Sequence, residues 1–264
     1  MMNKKTVSFI RKQKNIKKLT MLTCYDYLTA KIFNETELDM VLIGDSLGNV
    51  FSGYETTVPV TVDEIIYHTK AVKRGAFNPL IVSDMPFMSY QASTEEGMRN
   101  AGRIMKEGLC DAVKLEGGLE IAELVYKMTK SGIPVMGHIG LQPQSVHQMG
   151  GFRVIGRKEE EIQRLIEEAK ALEEAGAFSV VLELVPEKTA EKVSQSIAIP
   201  TIGIGSGSLC DGQVLVVSDM LGLNPADFKH NKKYLNLYEL IKKAAESYIS
   251  EVEKQIFPGK ENSF

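Results

Sequence analysis

The 264-residue sequence has few cysteines, no excess of basic charge and no long apolar run, and each shortage narrows its class. Cys24, Cys110 and Cys210 lie far apart without metal-type spacing. An odd, scattered set fits a reducing compartment better than a disulfide framework. A formal net charge of -3 argues against a nucleic-acid surface, which needs a basic excess. No apolar stretch approaches the roughly 20 residues of a membrane span. The segment Met1 to Leu19 is basic and has no acidic residue, the pattern of an organelle transit peptide. It lacks the usual Arg/Ser bias, so a cytoplasmic protein is the expectation.

Strand and helix patterns alternate from end to end. Apolar runs bounded by turn residues mark strands at 20–24, 40–45, 80–84, 112–116, 134–140, 179–185, 200–205 and 214–218. Helices are expected near 30–34, then over 61–75, 93–108, 120–131, 159–175, 188–197 and 234–255. Thr61 followed by Glu64 is a capping-box start. Leu141 to Arg157 reads as a long irregular loop, a pattern often used as a lid. Eight βα-like units predict a closed (β/α)8 TIM barrel, one domain over 1–264 with a short N-terminal extension and a C-terminal helix. A doubly wound open sheet is the competing architecture.

The stretch Met40-Val-Leu-Ile-Gly-Asp-Ser46 sets the pattern for chemistry: an apolar strand that ends in an acid and a hydroxyl. Asp84, Glu116 and Glu183 end other strands in the same way. Barrels place their chemistry at such C-terminal strand ends. Residues i and i+2 of a strand share a face, so Lys114 and Glu116 point together toward the barrel axis. A buried ion pair accounts for these two equally well, and helix capping accounts for Asp45 or Asp84 taken alone. Three convergent carboxylates (Asp45, Asp84, Glu116) would repel one another, and a divalent cation resolves the repulsion. Oxygen-only donors favour Mg²⁺, and chelation of a small 2-oxo acid suits such a site. Lys114 is placed to hold a substrate carboxylate or oxyanion. Glu183 stands apart as a candidate general base, or as an ion-pair partner of Lys114. His138 ends its strand as a substrate contact or a structural histidine, and Ser46 either donates to substrate or caps a turn. Gly203-Ile-Gly-Ser-Gly207 is a phosphate-type loop or simply a tight turn.

From Met21 onward the chain closely resembles the ketopantoate hydroxymethyltransferase family. The carrying motifs are Leu22-Thr-Cys-Tyr-Asp-Tyr27, Ile43-Gly-Asp-Ser-Leu-Gly48, Asp84-Met-Pro-Phe-Met88, Val113-Lys-Leu-Glu-Gly-Gly118 and Gly137-His-Ile-Gly-Leu-Gln-Pro-Gln-Ser145. Pro59-Val-Thr-Val62, Tyr67-His-Thr69, Gly203-Ile-Gly-Ser-Gly207 and Asp211-Gly-Gln213 complete the set. The resemblance implies a Mg²⁺-dependent barrel that passes a one-carbon unit from 5,10-methylenetetrahydrofolate to 3-methyl-2-oxobutanoate, making 2-dehydropantoate for pantothenate and coenzyme A. It implies metal-site acids at Asp45, Asp84 and Glu116, substrate contacts at Asp45, Ser46, Asp84, Lys114 and His138, and a proton acceptor at Glu183. It further implies a homodecamer acting on small molecules, while the net charge and the lack of a long apolar run give the expectation of no nucleic-acid or membrane partner. Ser206 and His147 depart from the residues common in the family. The rivals are a Mg²⁺-dependent 2-oxo acid lyase, a phosphate-binding barrel and a barrel that only binds metabolite.

Overall fold

The structure is a computed structural model that describes residues 4–151, 153–226 and 228–264. Eight parallel strands close on themselves in chain order: β1 (Leu19–Thr23), β2 (Met40–Ile43), β3 (Leu80–Asp84), β4 (Ala112–Glu116), β5 (Val135–Gly140), β6 (Ser179–Glu183), β7 (Thr201–Ile204) and β8 (Gly212–Leu215). The expected (β/α)8 barrel is therefore the architecture, and the open sheet is excluded by the pairing of β1 with β8.

The inner face is graded from floor to rim. Met21, Leu42, Val82, Ala112, Met136 and Val181 belong to one buried apolar cluster. Strand alternation then turns Thr23, Asp84, Lys114, His138 and Glu183 the same way, two residues nearer the C-terminal end. Register locks these polar groups side by side: Asp84 pairs with Lys114, Glu116 with His138, and Gly140 with Glu183. Gly140 adopts φ +94°, and a Cβ there would fall 2.4 Å from the Glu183 carbonyl oxygen. Glycine is thus what lets β5 approach β6 at the level of the acid.

The N-terminal basic stretch has a structural use. Thr6 caps a short helix, Val7–Arg11, whose Ile10 is fully buried in the apolar cluster at the floor. Asp39, Asp111 and Asp211 each sit one residue before a strand and accept from the first N–H groups of its neighbour. These bonds come from Thr20 N at 3.1 Å, Ile81 N at 2.9 Å and Thr201 N at 2.9 Å. Lys17 and Lys14 lie 2.7 Å from Asp39 and Asp211, and Lys4 pairs with Asp111. The positive charge of this stretch answers acids at the barrel floor.

Other differences from the sequence reading are local. The eighth strand starts at Gly212 and ends at Leu215, and Val217 already begins a helix. The expected helix over 93–108 is α-helical only to Arg103 and continues as a π-turn over Ile104–Gly108. Leu141 to Arg157 is not wholly irregular: Pro143–Ser145 forms a 3₁₀ turn and Val146–Met149 a helical turn. The chain divides into two compact units, one ending at Val216 and one spanning Val217–Phe264. In the second, Asp219 accepts from Asn224 and Asn231, and Asn236 caps the helix Leu237–Glu253. Among the described residues no helix is long and apolar enough to cross a membrane.

Candidate active site

Every residue expected at the site lines one small pocket at the C-terminal mouth of the barrel. Asp45, Ser46, Asp84, Lys114, Glu116, His138 and Glu183 all face a cavity of about 170 Å³. Asp45, Asp84, Lys114, Glu116 and His138 are each no more than 5% exposed, so water screens their charges little.

Lys114 is the hub. Its Nζ lies 2.7 Å from Asp84 Oδ1 and 3.1 Å from His138 Nδ1. Burial alone would lower the Lys114 ammonium, but Asp84, Glu116 and Asp45 outweigh it and hold the proton more tightly than in an ordinary lysine. Asp84 Oδ2 accepts the backbone N–H of Asp45 at 2.9 Å, which ties the β2 and β3 ends together. Burial and the neighbouring Asp84 push the Asp45 carboxyl up to about 7. Burial and Asp45 likewise raise Glu116 well above the usual carboxylate range. Three acids against one ammonium leave the cluster two positive charges short when all are ionised.

His138 joins this cluster to Glu183. Burial and the adjacent Lys114 hold its imidazole neutral, well below the ordinary histidine value. An ammonium only donates, so Nδ1 is the acceptor and the ring proton sits on Nε2. Nε2 faces Glu183 Oε2 at 3.2 Å. The Glu183 side chain is 18% exposed, against 3% for Glu116, and so stands at the open rim. Ser46 Oγ bonds Tyr25 Oη at 2.9 Å.

Three neighbours were absent from the sequence reading as site residues. Gln144, in the 3₁₀ turn, donates from Nε2 to Asp45 Oδ2 and to the Met85 carbonyl, both at 2.9 Å. Its backbone N–H donates to Glu116 Oε2 at 3.0 Å, so one residue orients two of the acids. Tyr90 Oη lies 2.9 Å from Gln144 Oε1 and accepts from Glu116 N at 3.1 Å. Tyr25 completes the wall behind Ser46. The available signal was Gln144's place within Gly137–Ser145, a stretch that carries the family resemblance and includes His138. The glycine loop after β7 resolves as a tight turn: Gly205 and Gly207 have φ +65° and +76°. The Ser206 hydroxyl there donates to Leu182 O at 2.7 Å. His68 is structural, its Nδ1 2.6 Å from Tyr25 O.

A sequence model of ketopantoate hydroxymethyltransferase matches residues 4–260. The chain belongs to the ketopantoate hydroxymethyltransferase family. A 3-methyl-2-oxobutanoate hydroxymethyltransferase of Syntrophus aciditrophicus is 55% identical over 261 residues, covering 98% of this chain and 96% of that one. The protein of the same name from Thermotoga maritima is 53% identical over 260 residues, covering 98% and 96%. Among solved structures, a complex of oxaloacetate acetylhydrolase with 3,3-difluorooxalacetate superposes with a TM-score of 0.61 at 12% identity, covering 98% of this chain and 90% of that chain. A 2,3-dimethylmalate lyase superposes at 0.57 and 14%, covering 98% and 88%. Likeness at that identity concerns the barrel alone, so the lyase rival gains nothing from it, whereas the hydroxymethyltransferase family is matched in sequence over nearly the whole chain.

Proposed function

We propose that the chain transfers a hydroxymethyl group from 5,10-methylenetetrahydrofolate to 3-methyl-2-oxobutanoate, forming 2-dehydropantoate and tetrahydrofolate for pantothenate and coenzyme A synthesis. The observation that carries the reading is the buried trio Asp45, Asp84 and Glu116, short of positive charge, inside a chain of this family.

The trio also supports Mg²⁺ as the resident ion. Among the described residues, no three His, Cys, Asp or Glu side chains form a ready-made metal cage. Mg²⁺ needs none: it takes one or two carboxylates and fills its shell with water and substrate oxygens. Asp45, Asp84 and Glu116 would hold the ion, Asp45 and Asp84 being joined through the Asp45 N–H. The donors are all oxygen, and the two-charge shortfall matches a divalent cation. When bound, the ion supplies Lewis-acid polarisation of the keto and carboxylate oxygens.

The chain's own groups do the rest. Lys114 lays a fixed positive charge beside the keto-acid oxygens. Glu183 receives the C3 proton, with His138 Nε2 lying 3.2 Å from its carboxylate. The C3 carbon so uncovered forms the new C–C bond to the donor's methylene carbon, water supplies the hydroxyl, and both folate C–N bonds to that carbon break, their nitrogens taking up the C3 proton and one proton of the water to give tetrahydrofolate. Gln144 and Tyr90 fix the acids so that little reorganisation accompanies charge development.

Three buried free cysteines support a reducing, cytoplasmic setting, and a homodecamer is the assembly the resemblance implies. The deciding experiment follows 2-dehydropantoate formation with EDTA and then Mg²⁺ add-back, with and without methylenetetrahydrofolate. Product formed without the donor would replace the transferase reading with a lyase.

A further inference from the structure

A second cavity, about 830 Å³, opens beside the keto-acid pocket, and Glu116 lines both. The smaller space suits a small acid; the larger has the size of a site for a drug-sized molecule. A transferase must bring two substrates to one point, and the shared Glu116 wall is such a point.

The wall chemistry of the larger cavity is specific. Glu168 lies on the helix Glu159–Glu174 yet is only 5% exposed. It is admitted by Gly118, where a Cβ would fall 2.3 Å from Glu168 Cγ. Arg164 Nε donates to its Oε1 at 2.7 Å. Burial nevertheless raises its proton affinity, so Arg164 does not offset the desolvation. Glu120, exposed at the turn after β4, adds a second carboxylate. Such a wall repels a small anionic acid and accepts a ligand edge rich in N–H donors. Ile121 and Leu165 give it an apolar side, and Arg153 adds positive charge.

We propose that this cavity seats the one-carbon donor, with Glu168 and Glu120 receiving the amino and N3–H edge of its reduced pterin. The assignment rests on the transferase reading above. Ile121 and Leu165 then flank the aryl ring, and Arg153 meets the carboxylates of the glutamate tail. Glutamine at either acid replaces an acceptor with a donor facing a donor, which weakens recognition.

The test uses Glu168→Gln and Glu120→Gln with three readouts: calorimetric binding of tetrahydrofolate, KM for methylenetetrahydrofolate, and donor-free exchange of the keto acid's C3 deuterium with solvent. The expected result is donor KM and tetrahydrofolate Kd raised about tenfold or more, with exchange at the wild-type rate, since neither residue touches the keto-acid pocket. Should Glu168→Gln misfold, the exposed Glu120→Gln carries the test alone. Donor KM and Kd within about twofold of wild type in the folded variants, while wild type makes product, would overturn the assignment and leave the transferase reading standing. A wild-type protein that exchanges deuterium but neither binds tetrahydrofolate nor forms product would remove both.

Discussion

Gln144 Nε2 donates to Asp45 Oδ2 at 2.9 Å, across 99 residues of sequence, while the same residue's N–H holds Glu116. The acids are therefore aimed by a residue that bears no charge. Gln144→Ala leaves Asp45, Tyr90 and the Met85 carbonyl short of a partner, at a cost of about 1–3 kcal/mol. The expected phenotype is a lower Tm and an activity loss of about tenfold to a hundredfold. Titration of Mg²⁺ by thermal shift checks it, because a purely structural role would leave the midpoint for Mg²⁺ unmoved.

Asp84 carries both Lys114 and the Asp45 N–H. Asp84→Ala is expected to lower Mg²⁺-dependent turnover by at least about a hundredfold. Lys114→Ala strips the only cation partner from Asp84 in this cluster and is expected to destabilise the protein by about 3–5 kcal/mol, read by urea denaturation in EDTA. Added Mg²⁺ should recover part of that loss.

Glu183 sits outside the buried trio and separates binding from proton transfer. Glu183→Gln should bind the keto acid within about twofold of wild type while C3 exchange slows by about 10²–10⁴. Deuterium exchange followed by NMR measures this directly. Exchange at the wild-type rate would remove Glu183 as the base.

The raised Asp45 carboxyl makes stability depend on pH in a defined direction. Its ordinary value is about 4, and in the folded chain it rises to about 7. Between those values the folded state binds more protons than the unfolded one, so stability falls as pH climbs through that window. Without metal, Tm should drop from pH 5 to pH 7.5, and Asp45→Asn should flatten the profile. Binding a cation expels these protons, so the Tm gain on adding Mg²⁺ should be larger at pH 8 than at pH 6.

Ile10 plugs the floor, far from the mouth. Ile10→Ala is expected to cost about 2–5 kcal/mol, seen as a lower urea midpoint. KM for the keto acid should stay at the wild-type value, because no mouth residue loses a contact.

The fold was legible because strand endings and caps are local signals. The Thr61–Glu64 capping box forms as expected, and β3 and β4 match their expected bounds. The site acids were legible because alternation along β4 fixes where Lys114 and Glu116 point. What escaped was set by distant packing. Val7–Arg11 is too short to show a helical period, and only its burial of Ile10 makes it an element. The apolar run Val214–Val217 hides the exit from β8 into the next helix. Gln144 looks like any polar loop residue until the barrel closes and brings Asp45 beneath it.

The graded inner face of the barrel has an evolutionary consequence. Ala112, Lys114 and Glu116 share one side of β4 by parity, so inserting a single residue upstream would send both charged groups into the helix layer and bring Val113 and Leu115 to the mouth. Folding and chemistry would fail in the same step. Along this strand the site is open to change by substitution and closed to change by length.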